Sequence, residues 1–193
     1  DRISGYYYPD STIAGFSHTH LSGTGAGDLY DISYMPVTLP YREAEAPLGI
    51  HSKFRHSDEE ASAGYYRVLL KDYNINVELT ATERCGIQRY TFPKAQSAVF
   101  LNLKKAMNWD FTQDSHIEVV DSCTIQGYRF SDGWARGQRV FFRTRFSKPF
   151  RSSEIDTTAI IQDGKTIGTA YVARFNFDTT DGEEIVLCTA LSG

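Results

Sequence analysis

Residues 138–147 read "QRVFFRTRFS", and the order of these residues decides the fold. Val140, Phe142, Thr144 and Phe146 alternate with Arg139, Phe141, Arg143 and Arg145. Successive side chains of an extended strand point to opposite faces, so this period of two predicts a strand with one face in a core and one in water. The same period recurs outward in both directions. "YYRVLL" (65–70) and "NINVELT" (74–80) flank a hairpin-length gap, as do "GIQRYTF" (86–92) and "SAVFLNL" (97–103). "HIEVV" meets "CTIQGYRF" through Asp121–Ser122, and "TTAIIQ", "KTIGTAYVARFNF" and "EEIVLCTAL" complete the series. Asp-Gly pairs at 163–164 and 181–182 suit tight turns that need a positive φ. A sustained helical period is absent, apart from an ambiguous stretch near 55–63.

The 193 residues therefore read as a single all-β domain, an antiparallel β-sandwich spanning 1–193 whose first part, 1–30, is a Gly-rich, loop-like segment. A chain this long buries roughly 70% of the surface its unfolded form exposes. Twelve Tyr and twelve Phe agree with strands, because aromatic side chains fit pleated, half-buried surfaces. The formal net charge of −4 argues against nucleic acid, which demands a concentrated positive face. Arg136, Arg139, Arg143 and Arg145 come nearest to one and read as a solvated strand face. No apolar run reaches the ~20 residues of a transmembrane helix, and without an initiator Met the chain looks like a mature or excised piece. Cys85, Cys123 and Cys188 are odd in number and widely spaced, which predicts buried free thiols and no disulfide framework.

The chemistry-bearing stretch is "GFSHTHLSGTG" (15–25). His18 and His20 would share one face of an extended segment and could hold a metal, but the possible further ligands (Asp28, Asp31, His51, His56) show no recognisable spacing. Ser17 or Ser22 beside a histidine lacks the strand–Ser–helix elbow of a nucleophile. "GTGAG" lacks the Lys-Ser/Thr ending and following helix of a phosphate loop. Two readings remain: a loop whose glycines admit a ligand while His, Thr and Ser grip a polyhydroxylated sugar, or a turn tied down by its histidines. Tyr6, Tyr8 and Phe16 could cover a pyranose ring, or Tyr6 and Tyr8 could belong to the core. No pair of carboxylates stands out for glycoside hydrolysis; "SDEE" (57–60) reads as solvated, and Asp28 and Asp31 as loop caps.

"DSTIAGFSHTHLSGTG" (10–25), "GDLYDISYMP" (27–36), "KFRHSDEEASAGYYRVLLKDYNINVELTATERCGIQRYTFP" (53–93) and "GWARGQRVFFRTRFSKPF" (133–150) together resemble, in order, the N-terminal region of glycoside hydrolase family 92, the exo-acting α-mannosidases. The resemblance implies a β-supersandwich packed on a C-terminal (α/α)6 catalytic barrel that this chain lacks. It further implies calcium-dependent, inverting attack on terminal α-linked mannose of glycans, with the acid, the base and most calcium contacts in the barrel. The partners so implied are a mannose-containing glycan and the catalytic domain of the same chain, and the compartment is periplasmic, cell-surface or extracellular. On that reading this chain contributes no catalytic or metal-binding residue, and Tyr8, Phe16, His18, His20, Ser22 and Gly23 border the sugar. A free-standing carbohydrate-binding module and a scaffold that buttresses the barrel are the alternatives.

Overall fold

The computed structural model describes residues 6–20, 29–41, 49–104, 110–162 and 164–193. Eight strands form the larger sheet: β6 (Glu59–Ser62), β7 (Tyr65–Leu70), β8 (Ile75–Ala81), β9 (Cys85–Phe92), β11 (Phe111–Asp121), β12 (Thr124–Asp132), β13 (Gln138–Phe146) and β16 (Glu183–Ser192). Their order across it is β11-β12-β13-β16-β9-β8-β7-β6. The smaller sheet runs β14-β15-β10-β4, from β4 (Ser33–Thr38), β10 (Ala95–Asn102), β14 (Ser152–Gln162) and β15 (Lys165–Thr179). Two short ribbons lie outside these layers: β1 (Thr12–Ile13) with β5 (Ser52–Lys53), and β2 (Thr19–His20) with β3 (Leu29–Asp31). All the pairings are antiparallel.

The alternation in 138–147 is realised as read. Phe142, Thr144 and Phe146 are buried while Arg139, Phe141, Arg143 and Arg145 face solvent. From the other layer, Tyr34, Leu101, Phe175 and Phe177 meet the inner row of the large sheet, which includes Val77, Tyr90, Ile185 and Leu187, in one contiguous core. Phe146 touches Phe150, Phe175 and Phe177 at centroid separations of 5.8, 5.3 and 5.9 Å, each pair adding about 0.5–1.5 kcal/mol beyond its area burial. A polar thread crosses the same core, from the Tyr34 hydroxyl to Thr144 Oγ1 at 2.6 Å and on to Thr189 at 2.8 Å. Both sheets thus share one contiguous core among the described residues.

At one edge the layers fuse. The Ser115 hydroxyl of β11 donates to Thr169 O of β15 at 3.2 Å and accepts from Tyr171 N at 2.9 Å. Gly168 lets the strands approach this closely, since a Cβ there would lie 1.3 Å from the Gln113 carbonyl oxygen. Gly164 and Gly182 take the expected positive φ, +74° and +73°.

Four expectations need correction. β9 and β10 do not pair across "PKAQ" as a hairpin, because the chain there crosses from the larger sheet to the smaller. The 55–63 stretch is a 3-10 turn over His56–Asp58 leading into β6, because His56 and Glu59 bond each other side chain to side chain. Within "SDEE", Glu59 is turned inward with only a tenth of its side chain exposed, held by that bond and by Tyr66. None of the three thiols is buried: Cys85 and Cys123 are half-buried and Cys188 is exposed, because all three fall at outward or turn positions of the large sheet.

Candidate functional site

The "GFSHTH" segment enters through the sandwich before it leaves it. Phe16 is buried and bridges to Tyr34 in both directions, at 2.8 and 3.0 Å, so it packs in the core. His18 comes next, with its backbone N donating to Asp31 O at 3.0 Å. Its Nδ1 lies 2.9 Å from Ile32 O, which can only accept, so Nδ1 carries the proton and Nε2 the lone pair. The ring stands edge-on to Tyr34 at 5.7 Å and directly over Gly86 of β9, where a Cβ would come within 2.4 Å of the imidazole. Nε2 is buried without a hydrogen-bond partner among the described residues. Burial lowers the pKa of His18 more than the Ile32 carbonyl raises it, so the ring is neutral near pH 7.

β2 and β3 then form a stem, pairing Thr19 with Asp31 and His20 with Leu29. Residues 21–28 between them, including Ser22 and Gly23, lie outside the described residues, as does the side chain of His20. The base of the stem is clamped. Asp31 is completely buried; one of its oxygens accepts from Thr19 Oγ1 at 2.5 Å and the other from Arg129 Nη1. Arg129 projects inward from β12, is itself fully buried, and also bonds Asp110, Thr112 Oγ1 (2.9 Å) and Leu103 O (3.2 Å). Burial pushes the Asp110 carboxyl up, against the pull of the guanidinium. Next to this clamp the backbone is strained: Leu29, Tyr30 and Ile32 have φ of +69°, +83° and +52°. Such values cost of order 1–3 kcal/mol each and persist where the surroundings over-determine them, which is a habit of ligand-contacting segments.

Tyr8 belongs to a different neighbourhood. It is 67% exposed, yet its ring lies flat on His56 at 4.1 Å with an interplanar angle of 8°. His56 Nδ1 in turn bonds Glu59 Oε2, while Glu59 Oε1 accepts from the Tyr66 hydroxyl at 2.5 Å and Tyr6 approaches Oε2 at 3.4 Å. Phe54 meets the His56 ring edge-on at 5.4 Å and its N–H donates to Ser11 O, tying this cluster to β1 and β5. The hydrogen bond to Glu59 raises the His56 pKa, and burial followed by the same carboxylate raises that of Tyr66. Sequence reading missed His56, Glu59 and Tyr66 as a group; the spacing His-x-x-Glu across a turn was the available signal. No described contact joins Tyr8 to His18.

The two imidazoles therefore titrate apart. His18, with its folded pKa below the ordinary 6.5, adds stability above that value and loses it as pH falls through it. His56, with its folded pKa raised, adds stability below 6.5 that disappears as pH climbs through the folded value. An NMR titration of the imidazole carbons is expected to show His56 titrating above 6.5 and His18 below it; the reverse order would contradict the geometry.

Among the described residues no three His, Cys, Asp or Glu side chains converge as a metal would require. The described site thus offers a clamped, strained loop stem and a rigid exposed tyrosine, and no pair of opposed carboxylates.

Residues 1–192 match the model of the glycosyl hydrolase family 92 N-terminal domain. Among solved structures, the family GH92 α-mannosidase BT3965 from Bacteroides thetaiotaomicron, free and in complex with mannoimidazole, superposes with TM-scores of 0.86 and 0.85 at 31% identity. The alignment covers 98% of this chain and 28% or 27% of the mannosidase. The GH92 inverting mannosidase BT2199 from Bacteroides thetaiotaomicron VPI-5482 shares the fold with a TM-score of 0.74 at 23% identity, over 98% of this chain and 25% of that one. No curated protein matches. The chain spans about a quarter of the length of these structural relatives, and it belongs to the glycosyl hydrolase family 92 N-terminal domain family.

Proposed function

We propose that this chain is the N-terminal domain of a calcium-dependent, inverting exo-α-mannosidase, and that the loop rising from β2 and β3 forms one lip of its mannose pocket. The supporting observation is the buried Thr19–Asp31–Arg129–Asp110 clamp beneath a strained stem, in a domain 31% identical to an α-mannosidase described in complex with mannoimidazole. In this reading His20, Ser22 and Gly23 meet the sugar, and Gly23 allows the backbone close to it. His18 and Phe16 act from beneath, His18 fixing the stem between Tyr34 and Gly86. Tyr8, held flat by the His56–Glu59 pair, presents its free face to the sugar that departs.

The acid and base belong to the following catalytic domain, the acid protonating the leaving oxygen while the base activates water from the opposite face. Calcium enters the proposal for the parent enzyme only; the described residues of this chain offer it no ligand set, and no step here is drawn through it. Export to the periplasm or cell surface completes the reading.

The experiment compares this chain with its full-length parent on an aryl α-mannoside. The parent is expected to turn over, to lose activity to a chelator, and to release β-mannose first, read by proton NMR. His20→Ala in the parent is expected to reduce kcat/KM by about 10–100-fold, the scale of losing one or two positioned hydrogen bonds. The 193-residue chain alone is expected to show no turnover. Calcium-dependent hydrolysis by the isolated chain would overturn the division of labour, and α-mannose as first product would overturn inversion.

A further inference from the structure

The outer face of the four-stranded sheet carries a cleft of about 300 Å³, and Tyr8 is not among the described residues that line it. Its floor is two neighbouring rungs of the ladder. One rung runs Glu154, Arg174, Phe100, Met35 across β14, β15, β10 and β4; the next runs Asp156, Val172, Asn102, Ser33. With strands roughly 4.8 Å apart, four of them make a rigid floor about 14 Å wide. Tyr41 and Ile50 form part of the opposite wall.

The chemistry changes along each rung. At the β14 side stand a carboxylate and guanidinium bonded to each other, Glu154 with Arg174 Nη2, and beside them the carboxylate of Asp156, which has no partner among the described residues. Arg174 also donates from Nη1 to the Tyr41 hydroxyl at 3.4 Å, while its buried Nε has no acceptor among the described residues. Toward the middle, Phe100 and Tyr41 meet edge to face at 5.1 Å and 72°, making an aromatic corner over the apolar side chain of Met35. The cleft therefore sets an ionic hydrogen-bonding group with spare donor and acceptor capacity next to aromatic carbon. A hexopyranose needs both: its vicinal hydroxyls donate to a carboxylate and accept from a guanidinium, while its C–H face lies on an aromatic ring. The volume sits at the lower end of the range of small-molecule sites. An anion is disfavoured, since two carboxylates oppose one guanidinium here.

We propose that this cleft binds a neutral hexopyranose of a glycan, with Asp156 and Arg174 on its hydroxyls and Phe100 under its ring. The inference stands on the sheet alone and does not depend on the mannosidase reading, because binding here requires neither calcium nor turnover.

The test is an NMR titration of the folded 193-residue chain with methyl α-mannoside, in the presence of a chelator. Amide shifts are expected on β4, β10, β14 and β15 and at Ala14, which also lines the cleft, with a Kd in the millimolar range and not at Tyr8 or His56. Asp156→Asn and Phe100→Leu are each expected to weaken binding at least about tenfold, the loss of one charge-assisted hydrogen bond or one ring contact. Asp156 is exposed on an edge strand, so its variant keeps the fold, which a thermal melt verifies. Glu184→Gln, on the outer face of the other sheet, leaves binding unchanged. Shifts that ignore Asp156→Asn, no saturation at ~10 mM sugar in a chain with an intact melt, or competition by a simple primary amine would each overturn the proposal.

Discussion

Replacing Arg129 by Met is expected to cost the domain about 3–5 kcal/mol of unfolding free energy at pH 7, measured by urea denaturation. The guanidinium is fully buried and serves Asp31, Asp110, Thr112 and Leu103 at once. Met matches much of its volume but none of its charge, so two carboxylates are left without a counter-ion in the interior. The pH dependence separates this cause from simple loss of packing. Without Arg129 the two buried carboxylates face no counter-ion, and burial already holds the Asp110 carboxyl above its ordinary value. Stability from such groups is complete below the unfolded value near 4 and is lost as pH rises through the folded value. The gap between variant and wild type is therefore expected to narrow as the solution is acidified toward pH 4. A gap of the same size at pH 7 and pH 4 would show that the clamp acts by shape alone. A loss under 1 kcal/mol would show that it does not act at all.

Gly168→Ala is expected to be as damaging, at least about 3 kcal/mol, above the usual range for one surplus methyl. The new Cβ would sit 1.3 Å from the carbonyl oxygen of Gln113, and the obstacle is backbone. No side chain can swing away, so β11 and β15 must part and break the Ser115 bonds that seal the edge of the sandwich. Gly127→Ala meets the same kind of obstacle, 1.9 Å from His116 O. Gly86→Ala is the instructive contrast. Its obstacle is the ring of His18, which can move, so the global cost is smaller and the change appears in the loop stem. Equal melting temperatures for wild type and Gly168→Ala would contradict the close approach of the two strands.

Much of the large sheet was legible from local pattern. "YYRVLL" is β7 to the residue, and "QRVFFRTRFS" overruns β13 by one, because strands with one wet face must alternate. β4 was not, for two physical reasons. It is buried on both faces, so "SYMPVT" carries no alternation, and Pro36 argues against a strand. The structure resolves this by placing β4 at an edge, where a missing N–H costs no ladder bond. The division into eight and four strands was also out of reach, since β10 pairs with β4 and β15, partners distant along the chain, and nothing in a short window encodes that.

The candidate site was half legible. The His-Thr-His motif marked the right segment, but its inner half is structural in placement: Phe16 lies in the core and His18 is wedged over Gly86. Asp31, read as a cap, is the buried centre of the clamp, and Arg129 was passed over between Tyr128 and Phe130 because a single inward charge looks like any other in a polar strand. The surface reading of Arg136, Arg139, Arg143 and Arg145 held, since all four face solvent.

The stem also bears on how such a domain can change over time. Its two short strands draw their geometry from Arg129, Tyr34 and Gly86, all of them outside residues 21–28. Changes at those three positions reach the stem through the frame itself. Drift at any of the three carries a folding penalty, so over generations the frame and the stem are inherited together.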